Sequence, residues 1–208
     1  VLDFFVSTIN KDRSWVQIVK YFLDRGNVVN AHISTLEDGE DLIQDILDEP
    51  VEQSDSDTEE EEEEEVSFIS IDEPEKEIKQ RKKRKPSKLA QKRIIVLDDI
   101  GLELKKPSID QLLKVNRHIK TKVILSSQYL NDLSPQARRQ IDVWLLFNGC
   151  KKDKLLTIMR DCDTHLSYNK FEELYKYATR DKYNFLYIDC HNSKFRKNFN
   201  EEIVINEE

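Results

Sequence analysis

Four apolar, mostly β-branched residues, Ile94-Ile95-Val96-Leu97, run straight into two carboxylates, Asp98 and Asp99. A continuous apolar run bounded by charge predicts a strand buried on both faces, as in a parallel α/β sheet. Residues 1–9 (VLDFFVSTI) predict another strand. Ser14 with Gln17 three residues on has the spacing of a capping box, and Trp15, Ile18, Val19 and Phe22 then fall on one helical face, with Gly26 as the stop. Residues 27–34 predict a strand and 36–47 a short acidic helix. Beyond Asp99, Ser108 and Gln111 repeat the capping spacing, and Ile109, Leu112, Leu113 and Ile119 fit one face of a helix ending at Asn116-Arg117-His118. Residues 122–128 (KVILSSQ) predict a second buried strand that ends in polar groups. Ser134-Pro135 is an N-cap followed by proline at the first helical position, with Arg138 and Arg139 in that short helix. Val143 to Phe147 is a third apolar strand. Asn169 with Glu172 can cap a helix lined by Phe171, Leu174, Tyr175 and Ala178, and Phe185 to Ile188 is a last strand, ending at Asp189.

Charge divides this pattern. Residues 37–77 hold 21 acids against one lysine, a net of −20, while the other residues hold 20 acids against 32 bases, a net of +12. The overall −8 conceals a basic body with an acidic insert, and a basic body suits a polyanion such as nucleic acid. Glu59 to Glu65 is unbroken, preceded by Ser54-Asp55-Ser56-Asp57-Thr58. Like charges this dense cannot bury apolar surface, so disorder is expected, whether as a plain solvated loop or one suited to acid-directed phosphorylation. Residues 79–93 follow with nine Lys/Arg, a nuclear-import signal, a nucleic-acid contact or a counter-charge to the acids. The expected organisation is therefore a core over 1–49 and 93–208, interrupted by a charged insertion at 50–92. Three cysteines without a CxxC argue for a reducing, intracellular setting, and no apolar run approaches the 18 residues of a membrane span.

The chemistry concentrates at the strand ends. Parallel strands joined by a helix place Asp98-Asp99 and Ser126-Ser127-Gln128 on one sheet edge. There one carboxylate can hold Mg²⁺, a second can orient or deprotonate water, and an amide can donate to a phosphate. Arg138 or Arg139 could neutralise charge on a transferred phosphoryl group, in its own subunit or a neighbour's. The plainer alternative for Asp98-Asp99 is a pair of solvated acids before Gly101. For Trp15 it is a place in the core, for His118 a partner to the last carbonyls of its helix, and for Cys162 with His165 a spacing without metal.

Ile94–Asp99, Asn116-Arg117-His118, Val123–Gln128, Leu133–Arg139 and Asp142–Phe147, taken together, resemble the poxvirus-type genome-packaging ATPases, P-loop NTPases of the HerA/FtsK superfamily. Ser7-Thr8, Asp12 and Trp15 resemble the family's second strand and the helix after it. The resemblance implies a RecA/ASCE-like parallel sheet flanked by helices, with the Gln128 strand lying between a phosphate-loop strand and the Asp98-Asp99 strand. It implies ATP and Mg²⁺ as cofactors. Asp98 becomes the Walker B magnesium residue, Asp99 the catalytic carboxylate, Gln128 the sensor, and Arg138 or Arg139 the arginine finger. Arg117 and His118 are family-like without an assigned role. It further implies a homo-oligomeric ring acting on double-stranded DNA, a capsid or portal partner, and a place in host cytoplasm, virus factory or nucleus, with association with the virion. A related DNA helicase or translocase and a non-catalytic adaptor of the same fold are the alternatives. The departure is the absence of G-x-x-x-x-G-K-[ST]: the four glycines are Gly26, Gly39, Gly101 and Gly149. The family carries that loop just upstream of the strand matching residues 1–9, so Val1 is expected to lie downstream of it, unless the chain is a non-hydrolysing relative.

Overall fold

The computed structural model describes residues 1–49 and 93–205, all within one unit. The insertion expected at 50–92 lies outside the described residues. In chain order the elements are β1 (Leu2–Val6), α1 (Arg13–Leu23), β2 (Val29–His32), β3 (Leu36–Glu37), β4 (Glu40–Asp41), α2 (Leu42–Asp48), β5 (Arg93–Asp98), α3 (Pro107–Val115), β6 (Thr121–Ser126), α4 (Pro135–Arg138), β7 (Val143–Phe147), α5 (Lys152–Asp161), α6 (Tyr168–Ala178), β8 (Phe185–Asp189), β9 (Lys194–Lys197) and β10 (Glu201–Ile203).

The apolar runs form a four-stranded parallel sheet in the order β2-β1-β5-β6. Strand parity sorts its side chains to two faces. Leu2, Phe4 and Val6 of β1 and Val96 of β5 meet Trp15, Val19 and Phe22 of α1. Phe5, Ile95 and Leu97 face the other way and pack with Ile43 of α2 and Ile109, Leu112 and Leu113 of α3. Burial on both faces explains why Ile94–Leu97 of β5 reads as an unbroken apolar run and β1 as one interrupted only at Asp3. The one acid within β1, Asp3, is buried but compensated by Arg93 Nε at 3.1 Å and Asn30 Nδ2 at 2.6 Å.

Three features depart from or refine the pattern reading. Residues 36–41 form the β3–β4 hairpin, because Asp38 and Gly39 both adopt positive φ (52° and 91°), the Asp-Gly turn that a tight hairpin needs. The helix caps shift: Asp12, not Ser14, caps α1, its carboxylate accepting from the Ser14 N–H at 2.8 Å. Lys106 precedes α3, whose Pro107 opens the helix while Ser108 donates to Asp41 at 2.8 Å, and Ser167, not Asn169, caps α6. Finally, Val143–Phe147 forms the strand expected of it, but outside the parallel sheet. It is the edge of a second, antiparallel sheet ordered β10-β9-β8-β7. One face of that sheet carries Leu146, Leu186, Ile188 and Phe195 onto α5 and α6. On the other face Val143, Leu145 and Phe147 are exposed.

Cys162 lies in this second core, where its hydrogen bond to Cys190 and its burial hold the thiol far above the usual range. His165 is exposed. No cluster of three or more metal-ligating side chains occurs among the described residues. No described helix is long and apolar enough to cross a membrane.

Candidate active site

Register decides what the carboxylates face. Asp98 is level with Val6 of β1 on one side and with Ser126 of β6 on the other. The C-terminal ends of three parallel strands therefore share one edge. β1 and β5 also mark the place where the chain turns from one face of the sheet to the other, α1 packing on one side and α3 on the opposite side. Open α/β sheets bind ligands outside the strand ends at such a switch.

Asp98 continues the parity of Val96 and so points to the α1 face, where the indole Nε1–H of Trp15 donates to its Oδ2 at 3.2 Å. Asp99 leaves the strand with φ of 52°. This left-handed conformation is open to Asp and Asn more readily than to most residues. It turns the exposed Asp99 carboxylate outward, with Ser7 Oγ donating to Oδ2 at 3.4 Å. Two carboxylates thus stand side by side, each taking one donor from the β1–α1 segment.

Gln128 is exposed two residues past the end of β6. Ser127 folds the chain there, donating to Asp132 Oδ2 at 2.5 Å and accepting from the Tyr129 N–H at 3.1 Å. Lys154, from the first turn of α5, donates to the Gln128 carbonyl at 3.3 Å and stands over the Tyr129 ring. Pattern reading had no way to find that lysine, 26 residues away in sequence.

The two arginines separate. Arg138 is turned inward: its Nε meets Asp161 Oδ2 at 2.6 Å and its Nη1 donates to the Leu133 carbonyl at 3.0 Å. Both charged side chains of the pair are under 10 % exposed. Arg139 is exposed and makes no side-chain hydrogen bond or ion pair among the described residues. Ser134 caps their helix as expected, accepting from the Ala137 N–H at 3.0 Å. Arg117 and His118 lie between α3 and the start of β6, the edge opposite the carboxylates; Arg117 pairs with Asp142 and His118 is exposed.

Removing one partner of a buried ion pair leaves the other charge uncompensated, which costs about 3–5 kcal/mol. Arg138→Ala is therefore expected to lower the unfolding free energy by about that amount in a denaturant titration, whereas Arg138→Met combined with Asp161→Leu should recover most of it. A neutral Arg138→Ala would show that the pair does not hold α4 against α5.

The poxvirus A32 protein family matches residues 58–197, two thirds of the chain. The chain belongs to this family. No curated protein matches it. Solved structures similar to this A32-family chain include the genome packaging NTPase B204 from Sulfolobus turreted icosahedral virus 2 in complex with ATP-gammaS. That protein is 25% identical over 50% of this chain and 50% of its own, with a TM-score of 0.40. Its complex with AMP matches at 23% identity over 55% of this chain and 54% of that one, again with a TM-score of 0.40. B204, the DNA-packaging ATPase from Sulfolobus Turreted Icosahedral Virus, is 24% identical over 55% and 53%, at the same TM-score. The A32-family chain spans about half the length of these structures.

Proposed function

We propose that this chain carries the carboxylate edge of an ATP-driven motor that moves viral double-stranded DNA into a capsid. The observation that carries the reading is the placement of Asp98 and Asp99 at the end of the central parallel strand, level with the end of the strand leading to Gln128. Membership of the A32 family and the net +12 outside residues 37–77 support it.

The donor set fits magnesium. Mg²⁺ is held through one or two carboxylates together with water and substrate phosphates, not by a cage of protein ligands. Asp98, with one oxygen engaged by Trp15, suits such a role. Bound there with ATP, the ion supplies charge neutralisation on the β- and γ-phosphates. The remaining work belongs to the chain. Asp99 orients the attacking water and accepts its proton. The Gln128 amide donates to the γ-phosphate or holds the same water. Arg139 serves the site of a neighbouring subunit in a homo-oligomeric ring. β6 pairs on one side only among the described residues, and its other edge would receive a strand bearing a phosphate loop.

The test uses protein that includes a phosphate loop. ATP hydrolysis should require Mg²⁺ and rise when duplex DNA is added. Absence of hydrolysis, or hydrolysis indifferent to duplex, would overturn the proposal. The acidic insert offers a second check. Deleting residues 55–65 removes nine acids and raises the net charge from −8 to +1. Duplex affinity measured by fluorescence anisotropy should then rise roughly tenfold or more at low ionic strength, with the gain shrinking as salt screens it. An unchanged affinity at low salt would show that these acids do not oppose DNA.

A further inference from the structure

The contact between Trp15 and Asp98 has more in it than packing. Position 98 shares the α1 face with Val96, and α1 presents Trp15, Val19 and Phe22 to that face. The Trp15 ring is set edge-on against Phe4, with centroids 5.8 Å apart, and Phe4 is itself buried. A half-buried ring held this way has little freedom, and its Nε1–H reaches a carboxylate 83 residues away at 3.2 Å. The other tryptophan, Trp144, gives the contrast. Its Nε1 is buried without a hydrogen-bond partner among the described residues, so the fold does not satisfy every indole as a matter of course.

We infer that Trp15 is a positioning residue: its indole N–H fixes the Asp98 carboxylate through Oδ2 and so orients Oδ1. An Asp carboxylate rotates broadly about its last torsion. Asp98 also has a like charge beside it in Asp99. A donor to a charged acceptor is stronger than a neutral pair, and one such bond selects a single rotamer. Trp15 touches neither phosphate nor attacking water in this scheme; it acts through Asp98. The inference rests on the reading of Asp98 as the residue that faces the magnesium–nucleotide complex.

The test begins with ¹⁵N-indole labelling of the protein that includes a phosphate loop. Trp15→Phe identifies the indole N–H signal of Trp15, and Trp144→Phe that of Trp144. Asp98→Asn should move the Trp15 signal and leave that of Trp144 in place. Magnesium with a non-hydrolysable ATP analogue should move the Trp15 signal in the native protein. Trp15→Phe keeps the ring against Phe4 but loses the donor. Its kcat should fall about tenfold, and the Mg²⁺ concentration for half-maximal rate should rise while the KM for ATP holds. A Trp15 signal indifferent to Asp98→Asn, or native kcat and Mg²⁺ dependence in Trp15→Phe, overturns the inference. If Trp15→Phe fails to fold, the Trp15 signal is identified by its nuclear Overhauser contacts to the Phe4 ring, and its response to Asp98→Asn decides alone. Full hydrolysis by Asp98→Asn would instead bring down the reading of Asp98 itself.

Discussion

Asp99→Asn is expected to bind ATP with near-native affinity and to turn it over about 10²–10⁴ times more slowly, the usual contribution of a positioned proton acceptor. The substitution is well matched to its place. Asp99 sits at φ of 52°, a conformation that Asn adopts as readily as Asp, and an amide oxygen still accepts from Ser7. Shape and backbone are kept, while the negative charge and the basic oxygen are lost. Alanine would confound the result, since a left-handed residue without a polar side chain adds backbone strain. Asp98→Asn also retains an acceptor for the Trp15 indole, so its loss of turnover would reflect the missing charge toward magnesium and should be accompanied by a raised Mg²⁺ requirement. The measurements are steady-state hydrolysis and nucleotide affinity by calorimetry. Native turnover in both variants would remove the carboxylate edge from catalysis.

Arg139→Ala carries the second large expectation: a loss of about 10³-fold or more in turnover, with nucleotide affinity and thermal midpoint unchanged. Arg138 and Arg139 are neighbours in sequence but opposite in use. One guanidinium is consumed by Asp161 and the Leu133 carbonyl, the other stands in solvent. A guanidinium that is exposed in the protomer can serve an adjacent subunit without first breaking an internal pair. Mixing Arg139→Ala with Asp99→Asn should therefore restore part of the activity, because some interfaces then join an intact Asp99 to an intact Arg139. Arg139→Lys should recover little, since an ammonium lacks the planar fork. A loss below about tenfold would assign Arg139 to DNA contact or solubility, and failure of the mixture to recover would place its action within its own subunit.

Much of this arrangement was legible in the residues, for reasons the structure makes clear. β1 and β5 are apolar because the parallel sheet is covered on both faces there, and the paired acids close β5 where pattern alone predicts an edge; β6, expected as a buried strand, instead leaves one face exposed at Lys122, Ile124 and Ser126. The choice between Arg138 and Arg139 was not legible: adjacent helical residues differ by about 100°, and only the position of Asp161, 23 residues on, selects the inward one. The second sheet was half hidden. β9 (KFRK) and β10 (EEI) carry too much charge to show an apolar alternation, since each contributes one core side chain or a short edge. The misplaced caps share one cause. Ser14, Ser108 and Asn169 each lie two residues past the true cap, and a hydroxyl or amide in the first turn looks the same in sequence whether it caps, donates elsewhere or faces water. Trp15 could have been found from parity: even positions of β5 face α1, and Asp98 is even.

The helix α5 is held to the segment that follows β6 at two points. Lys154 in its first turn grips the Gln128 carbonyl, and Asp161 at its last residue grips Arg138. Seven residues of helix separate the grips, about 10 Å along the axis. A rod pinned at one point can swivel; a rod pinned at both ends can only travel with what it is pinned to. The Gln128 loop, α4 and α5 are thus tied into one unit, and because Leu155 and Ile158 of α5 pack with Leu146, Leu186 and Ile188, that unit is seated on the antiparallel sheet: under the proposed function, a shift of the loop would have to carry the helix and its packing with it.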